Sequence, residues 1–420
     1  MSAILFISLL LLFLLGVPIA VALGASSGLA VFFSGDIPLL VLVQRSFTSI
    51  DSFPLMAVPF FILAGKLMEV GGISERIIKF ANTLTGHLKG GLGMVVVITS
   101  MFFSAISGSS AATTAAVGAI LIPAMIRKGY DRNFAASVSA VSGELGVVIP
   151  PSVPLILFGV ATGTSIGELF IAGILPGVLI GISLLLLVYI ISVKRGYPSD
   201  DKASLKERWE GFKSSFLALL MPIIILGGIY GGVFTPTEAA AVAVLYAFII
   251  GVFVYRQLTP KVISKALSDS AVTTSIVMFI IANAGLFGLI LSREKIPKQV
   301  TEFFVGISSN AIVFLLLVNL LLIIVGMFME TSASIIILAP ILTPVAIEMG
   351  LDPVHFGIVM IVNLALGMCT PPLGVNLFIA CQIADIKLET LAKALILFFA
   401  MLIVDLLIIG FVPAISLMFL

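Results

Sequence analysis

Long apolar runs separated by short polar tips make up most of the chain, and they fall into two length classes. A helix needs about 20 apolar residues to cross the hydrocarbon of a bilayer. Residues 1–22 and 24–43 (the first interrupted by Gly16-Val17-Pro18), 53–68, 169–193, 216–230, 239–255, 272–291 and 391–420 read as the spanning segments. Residues 90–103 are too short for a comfortable crossing. They run into a small polar tip, Ser104-Ala105-Ile106-Ser107-Gly108-Ser109-Ser110, after which residues 111–126 resume the apolar pattern. Two half-length arms about a Ser/Gly tip predict a re-entrant hairpin. Residues 312–329 and 333–347, about Glu330-Thr331-Ser332, predict a second one.

Two further apolar runs, 134–162 and 355–383, are each interrupted by adjacent prolines: Pro150-Pro151 and Pro371-Pro372. Proline has no N–H, so the carbonyl four residues earlier loses its helical donor. The carbonyls concerned are those of Gly146 and Val147 in the first run, and of Gly367 and Met368 in the second. Freed backbone oxygens at membrane depth are tolerated only where they are buried in protein, line a cavity or hold an ion.

The two breaks are copies of one device. Pro371 lies 371 − 150 = 221 positions after Pro150, and the same offset pairs Pro123 with Pro344, Gly129 with Gly350, Asp131 with Asp352 and Gly146 with Gly367. It also sets Ser109-Ser110 opposite Glu330-Thr331. Repeats with broken helices at matching positions are the sequence pointer to a secondary-transporter site near the bilayer midplane. The fold class predicted is all-α and polytopic: two inverted repeats, each with a re-entrant hairpin and a Pro-Pro broken helix.

Composition narrows the class. The chain has 420 residues, 60% of them hydrophobic and 10% charged, with a mean hydropathy of +1.28. Soluble domains carry about 25% charged residues, so a polytopic membrane protein is expected. A formal net charge of +1 argues for neither nucleic acid nor an acidic partner. The cysteines, Cys369 and Cys381, match no metal spacing and read as reduced structural thiols; His87 and His355 read as interfacial. The N-terminal run lacks a basic flank and a cleavage site, which makes it a first membrane helix, not a signal peptide. Lys194, Arg195, Lys202, Lys206, Arg208 and Lys213, with the lone Trp209, mark a cytoplasmic linker with an interfacial helix. Neither terminus has a Lys/Arg excess, so both are expected outside. That requires an odd number of crossings in the first half and inverts the second.

The chemistry available is that of neutral oxygens. Hard cations take oxygen ligands, and neutral ones suit a weak, reversible Na⁺ site. One cation is expected among Ser107, Ser109, Gly146 and Ile149, and a second among Gly326, Thr331, Gly367 and Thr370. Beyond each break the chain restarts as a half-helix, whose free N–H groups suit an anion. Ser152, Gly374 and Asn376, with Ser110 and Ser332 from the tips, are expected to face a substrate carboxylate. For Asn376 a buried helix–helix hydrogen bond stands as the equal alternative. Glu144 and Glu330, acids in apolar sequence, are candidates for ion coupling, against a capping role for Glu330. No GxxxxGK[ST] or HExxH motif is present, which argues against ATP hydrolysis by this chain and against an enzyme.

Several motifs together look familiar. Phe103-Ser104-Ala105-Ile106-Ser107-Gly108-Ser109-Ser110-Ala111, Ile149-Pro150-Pro151-Ser152-Val153-Pro154, Phe234-Thr235-Pro236-Thr237-Glu238-Ala239 and Thr370-Pro371-Pro372-Leu373-Gly374 resemble the large membrane subunit of tripartite ATP-independent periplasmic (TRAP) transporters. So do Ile122-Pro123-Ala124-Met125 and Ala57-Val58-Pro59-Phe60-Phe61-Ile62-Leu63-Ala64-Gly65. The resemblance covers essentially the whole chain. It implies an elevator fold: residues 1–85 and 215–310 as scaffold, 86–193 and 311–420 as transport domain, and 194–214 as linker. It implies Na⁺-coupled uptake of a dicarboxylate, keto acid or sialic acid in the cytoplasmic membrane of a prokaryote. A periplasmic binding protein would deliver the substrate and a small four-helix membrane subunit, expected as a separate polypeptide, would pack on the scaffold. The family's cation ligands carry over as Gly146 and Gly367 with the adjacent tip residues. A stand-alone carrier of related fold and a channel are the competing expectations.

Overall fold

The structure is a computed structural model that describes residues 1–35, 37–307, 310–372 and 374–420; Leu373 of the second double-proline motif lies outside them. The first half comprises α1 (Ser2–Leu14), α2 (Ile19–Ser34), α3 (Leu40–Ile50), α4 (Ala57–Val70) and α5 (Ile73–Thr85). A hairpin of α6 (Gly91–Ser107) and α7 (Ser110–Arg127) follows, then a broken helix of α8 (Arg132–Gly143), α9 (Leu145–Val148) and α10 (Val153–Thr162), and the long α11 (Ile166–Arg195). The second half has α12 (Leu205–Tyr230), α13 (Pro236–Ile249), α14 (Pro260–Arg293) and α15 (Ile296–Ile307). Its hairpin is α16 (Ala311–Phe328) and α17 (Thr331–Glu348), its broken helix α18 (Pro353–Gly367) and α19 (Val375–Ala384), and α20 (Leu388–Phe411) and α21 (Ala414–Leu417) close the chain. Among the described residues there is no strand.

The internal repeat is carried into three dimensions. A shift of 221 takes the first residues of α7 and α8 onto those of α17 and α18, and brings α6, α10 and α11 to within one residue of α16, α19 and α20. Both Pro-Pro peptide bonds are cis. Among the described residues, nine helices are long and apolar enough to cross a bilayer, and the α8–α10 pair, bent by 41° at its break, makes a tenth span.

Four differences from the sequence reading have local causes. The run 24–43 is split, because Gly35 turns left-handed at φ 66° to cap α2 and α3 restarts at Leu40. With 13 and 16 residues, α1 and α2 are shorter than a full crossing. The first hairpin tip is tighter than expected: Ser104 to Ser107 stay helical, Gly108 takes φ 60° and the Ser109 side chain caps α7 by accepting from Ala112 N at 3.4 Å. Only two residues separate the arms. His355 is not interfacial but 1% exposed. Its ring nitrogens lie 3.2 Å from Ser416 Oγ and 3.2 Å from Gly410 O, because the end of α20 and α21 fold over the start of α18.

Packing interlocks the halves. The half-helix α10 packs on α17, and α19 packs on α7 and α8, so each break is held by the other repeat's hairpin or broken helix. A second group forms where α4 packs on α13 and α14. At one end of the bundle α12 lies along α5, with Ser215 Oγ donating to Arg76 O at 2.7 Å and the Arg76 guanidinium 3.7 Å from the centre of the Tyr255 ring. The linker is tied to the α7–α8 turn by the Lys128–Asp200 ion pair and by Tyr130 stacked on Tyr197, centroids 4.5 Å apart.

Gly326 and Gly367 bring the second hairpin into backbone contact with α18: a Cβ on Gly367 would sit 2.6 Å from the Gly326 carbonyl carbon. Backbone cannot yield as a side chain does, and overpacking of this kind costs about 1–3 kcal/mol. Gly367→Ala should therefore lower the apparent melting temperature in detergent. Gly227→Ala, in open space on α12, should not; equal shifts would contradict this account.

Candidate functional site

The two hairpin tips and the two helix breaks converge on a cavity of about 440 Å³. Ser109 and Ser110 enter from the first tip, Glu330 and Ser332 from the second, Val147 and Val153 from the first break, and Met368 and Val375 from the second. The remaining wall is mostly apolar and comes from Pro18 on the α1–α2 turn, Ile62 of α4, and Thr273, Ile276, Val277 and Ile280 of α14. Among the described residues, Glu330 is the sole charged one on the wall.

Oxygens cluster beside the first tip. Ser107 Oγ lies 2.9 Å from Thr113 Oγ1, and Thr113 Oγ1 donates to Ser109 O at 2.8 Å. Gly146 approaches so closely that a Cβ there would sit 2.7 Å from both the Ser109 carbonyl carbon and Thr113 Oγ1. Its carbonyl has no N–H to receive from Pro150. Two hydroxyls and the Ser109 carbonyl thus form a compact set of neutral oxygens, with the Gly146 backbone packed against them, and oxygens of this kind suit a hard cation. Among the described residues no three His, Cys, Asp or Glu side chains gather as metal ligands. Sequence reasoning missed Thr113. The available signal was its position one helical turn after Ser109, on the same face of α7. Ile149 sends its side chain against Gly177 of α11, which leaves only its backbone for the site.

The second set is brought together differently. Gly326 and Gly367 are in contact, but the Gly367 carbonyl is not orphaned as expected: Thr370 N donates to it at 2.9 Å, a tight turn replacing the bond that Pro371 cannot make. Thr370 Oγ1 donates to Leu366 O at 2.9 Å, and Thr331 Oγ1 donates to Met368 Sδ at 2.9 Å.

Of the residues expected to face substrate, Ser110 and Ser332 reach the cavity wall, whereas Ser152, Gly374 and Asn376 do not line it. Ser152 is 1% exposed and donates to Val147 O at 2.6 Å, replacing the donor lost to Pro151. Asn376 is fully buried; it accepts from Ser110 Oγ at 2.7 Å and donates to Ala140 O at 3.3 Å, the helix–helix bond that joins α19 to α7 and α8. Gly374 takes φ 42° and caps the start of α19. Glu330 caps α17: its Oε2 accepts from Ser332 N at 2.8 Å and Ala333 N at 3.3 Å, and its Oε1 accepts from Ser332 Oγ at 2.9 Å. Glu144 is 2% exposed, stands beside Cys369, and its Oε1 has no hydrogen-bond partner among the described residues.

A family model described as the DctM component of the tripartite ATP-independent periplasmic transporter matches residues 6–415. The chain belongs to that family. It is 41% identical to the C4-dicarboxylate TRAP transporter large permease protein DctM of Rhodobacter capsulatus, covering 99% of this chain and 98% of that one. The sialic acid TRAP transporter large permease protein SiaM of Vibrio cholerae is 44% identical over 84% of this chain and 83% of its own. The isethionate TRAP transporter permease protein DctMQ of Oleidesulfovibrio alaskensis is 44% identical over 97% of this chain, which spans 65% of that longer protein. These relatives are transporter permeases, not enzymes. The fold is shared with the Alcanivorax borkumensis YdaH transporter, at TM-score 0.63 and 15% identity over 88% of this chain and 86% of that chain. It is shared too with Neisseria gonorrhoeae MtrF, at TM-score 0.60 and 14% identity over 89% and 83%.

Because Ser152 replaces a missing backbone donor, Ser152→Ala should strand a buried carbonyl at a cost of about 1–3 kcal/mol. A lowered melting temperature with unchanged half-saturation for substrate is the expected result. A changed half-saturation at unchanged stability would return Ser152 to the binding site.

Proposed function

We propose that this TRAP large permease uses a Na⁺ gradient to import a small organic acid anion handed to it by a periplasmic binding protein. The observation that carries the proposal is the meeting of two hairpin tips and two helix breaks at one cavity, with the Ser107, Ser109 and Thr113 oxygens and the Gly146 backbone clustered at the first tip. C4-dicarboxylate, sialic acid and isethionate, the substrates in the names of its relatives, are all anions, which supports an organic anion as the substrate here. The partner membrane subunit packs against the outer helices, where Phe6, Leu10, Phe32 and Phe47 present exposed apolar surface.

The mechanism is alternating access by an elevator. The interlocked α6–α11 and α16–α20 elements, within residues 86–193 and 311–420, move as a transport domain against a scaffold of residues 1–85 and 215–310, with 194–214 as linker. Support comes from the α10–α17 and α19–α7 packing within one group and the α4–α13–α14 packing within the other. Coupling follows from charge. Glu330 disfavours an anion in the cavity until cations load at the tips; loaded cations offset it and draw the substrate in. Ligands move such an equilibrium only through differential affinity for its states, so the half-loaded domain moves poorly.

The protein lies in the cytoplasmic membrane with both termini outside and the linker inside. Arg76 and Lys79 of α5 share one end of the bundle with the linker and its six basic residues, a bias that belongs on the cytoplasmic side.

Proteoliposomes holding the complete complex should accumulate the acid only with inward-directed Na⁺ and the binding protein. Uptake persisting without either would sink the coupled reading. Thr113→Val should raise the half-saturating Na⁺ concentration by about tenfold, equivalent to losing one ligand worth about 1.4 kcal/mol. An unchanged Na⁺ dependence would remove Thr113 from the cation site.

A further inference from the structure

Three cavities lie in series along α14. One of about 340 Å³ meets it at Asp269, Ser270 and Thr273, and the central one at Thr273, Ile276, Val277 and Ile280. A third, of about 280 Å³, meets it at Ile281, Ala284, Gly285 and Gly288. At about 1.5 Å per residue the series extends for about 28 Å, close to the thickness of the hydrocarbon.

The end cavities carry opposite charge. The one toward the start of α14 contains Lys66, Glu69 and Asp269, formally −1, and Lys66 is already engaged, its Nζ 3.1 Å from Glu69 Oε2. The one toward the end of α14 has, among the described residues, a single charged one, Arg45 of α3, formally +1. Arg45 is exposed, and its Nε donates to Gly285 O at 3.4 Å, a long bond that is readily exchanged. The other wall of the Arg45 cavity is built from Leu157 and Val160 of α10 and Ile336 and Pro340 of α17. These belong to the half-helix and hairpin arm that sit next to the central cavity.

We propose that the path along α14 is charge-graded: Arg45 captures the acid group of the substrate at the outer mouth, and Glu69 with Asp269 favours its release at the inner end. The proposal rests on the organic-acid reading and the orientation given above. Movement of α10 and α17 toward the end of α14 brings the central cavity level with Arg45, where the guanidinium fork matches a carboxylate or sulfonate in a bidentate geometry. Movement the other way brings the anion level with two carboxylates and one occupied amine, where repulsion favours its departure.

The test uses the complete complex with the binding protein, in proteoliposomes. Arg45→Cys should cut initial uptake at saturating Na⁺ by about tenfold, as expected for the loss of one charge-assisted contact. The native Cys369 and Cys381 are buried, so external thiosulfonates report on the introduced thiol. A reagent that adds an ammonium group should restore uptake, and one of similar size that adds a sulfonate should not. The Na⁺ half-saturation and the affinity for the loaded binding protein should stay unchanged. Glu69→Gln combined with Asp269→Asn should slow net uptake several-fold while leaving that affinity unchanged.

Uptake by Arg45→Cys equal to the parent, or restored equally by both reagents, would overturn the capture role. So would a parallel loss of affinity for the binding protein, which would make Arg45 a docking residue. Unslowed uptake in the double variant would overturn the release role. A parent complex that imports no organic acid would overturn the functional reading, and this proposal with it. An active parent with an indifferent Arg45 variant overturns the proposal alone.

Discussion

Within hydrocarbon each backbone N–H and C=O must find its partner inside the protein, and two adjacent prolines deny that to two carbonyls at once. The architecture around both breaks answers that deficit. In the first, Ser152 reaches back to Val147 O, and Gly108 O receives Val153 N at 3.3 Å, which pins the start of the half-helix to the hairpin tip. In the second, Thr370 N turns onto Gly367 O. The repairs are unequal. The first break leaves Gly146 O opposite a proline, with the Gly146 backbone packed against Ser109 and Thr113, whereas the second consumes its hydroxyls on Leu366 and Met368. The symmetry of the chain therefore fixes where the two breaks lie without making them chemically equivalent.

Small residues make this arrangement possible. Helix breaks and hairpin tips meet backbone to backbone at Gly146 on Ser109 and at Gly367 on Gly326. Without side chains in the way, carbonyls come within reach of one another, and packing of small faces is the main attraction between helices that lack a hydrophobic driving force in lipid. Asn376 adds direction, linking α19 to Ser110 and to Ala140 in one buried pair of bonds. Its value lies in register: it sets how far the half-helix of one repeat sits along the hairpin of the other.

The pattern of apolar runs and the single offset of 221 made the repeats, hairpins and breaks legible, because glycine and proline have backbone roles that survive divergence of everything between them. Side-chain destinations were less legible. Ser152 and Ser110 are the same residue type at the same kind of place, yet one satisfies a carbonyl and the other lines the cavity while bonding Asn376. Thr113 was hidden because apolar and small residues surround it and nothing in one dimension says that Gly146 will come to rest against it. His355 read as interfacial because it follows a charged turn, but α21 covers it, a contact between residues 61 positions apart. The short α1 and α2 were missed because hydropathy counts apolar residues and does not see a left-handed glycine end a helix.

Electrostatics then connects the site to transport. Under the proposed function, a cavity that handles an anion while its one formal charge among the described residues is negative becomes coupled when cations bind next to it at neutral oxygens, since each ion then offsets the other's cost. Fixed carboxylates at the cation site would remove that dependence by holding Na⁺ in the absence of substrate. Neutral donors are weak individually, and under the proposed coupling that weakness would let a cation enter and leave within one cycle. On that reading the first double proline acts less as a break in a helix than as a means of supplying a carbonyl without a charge.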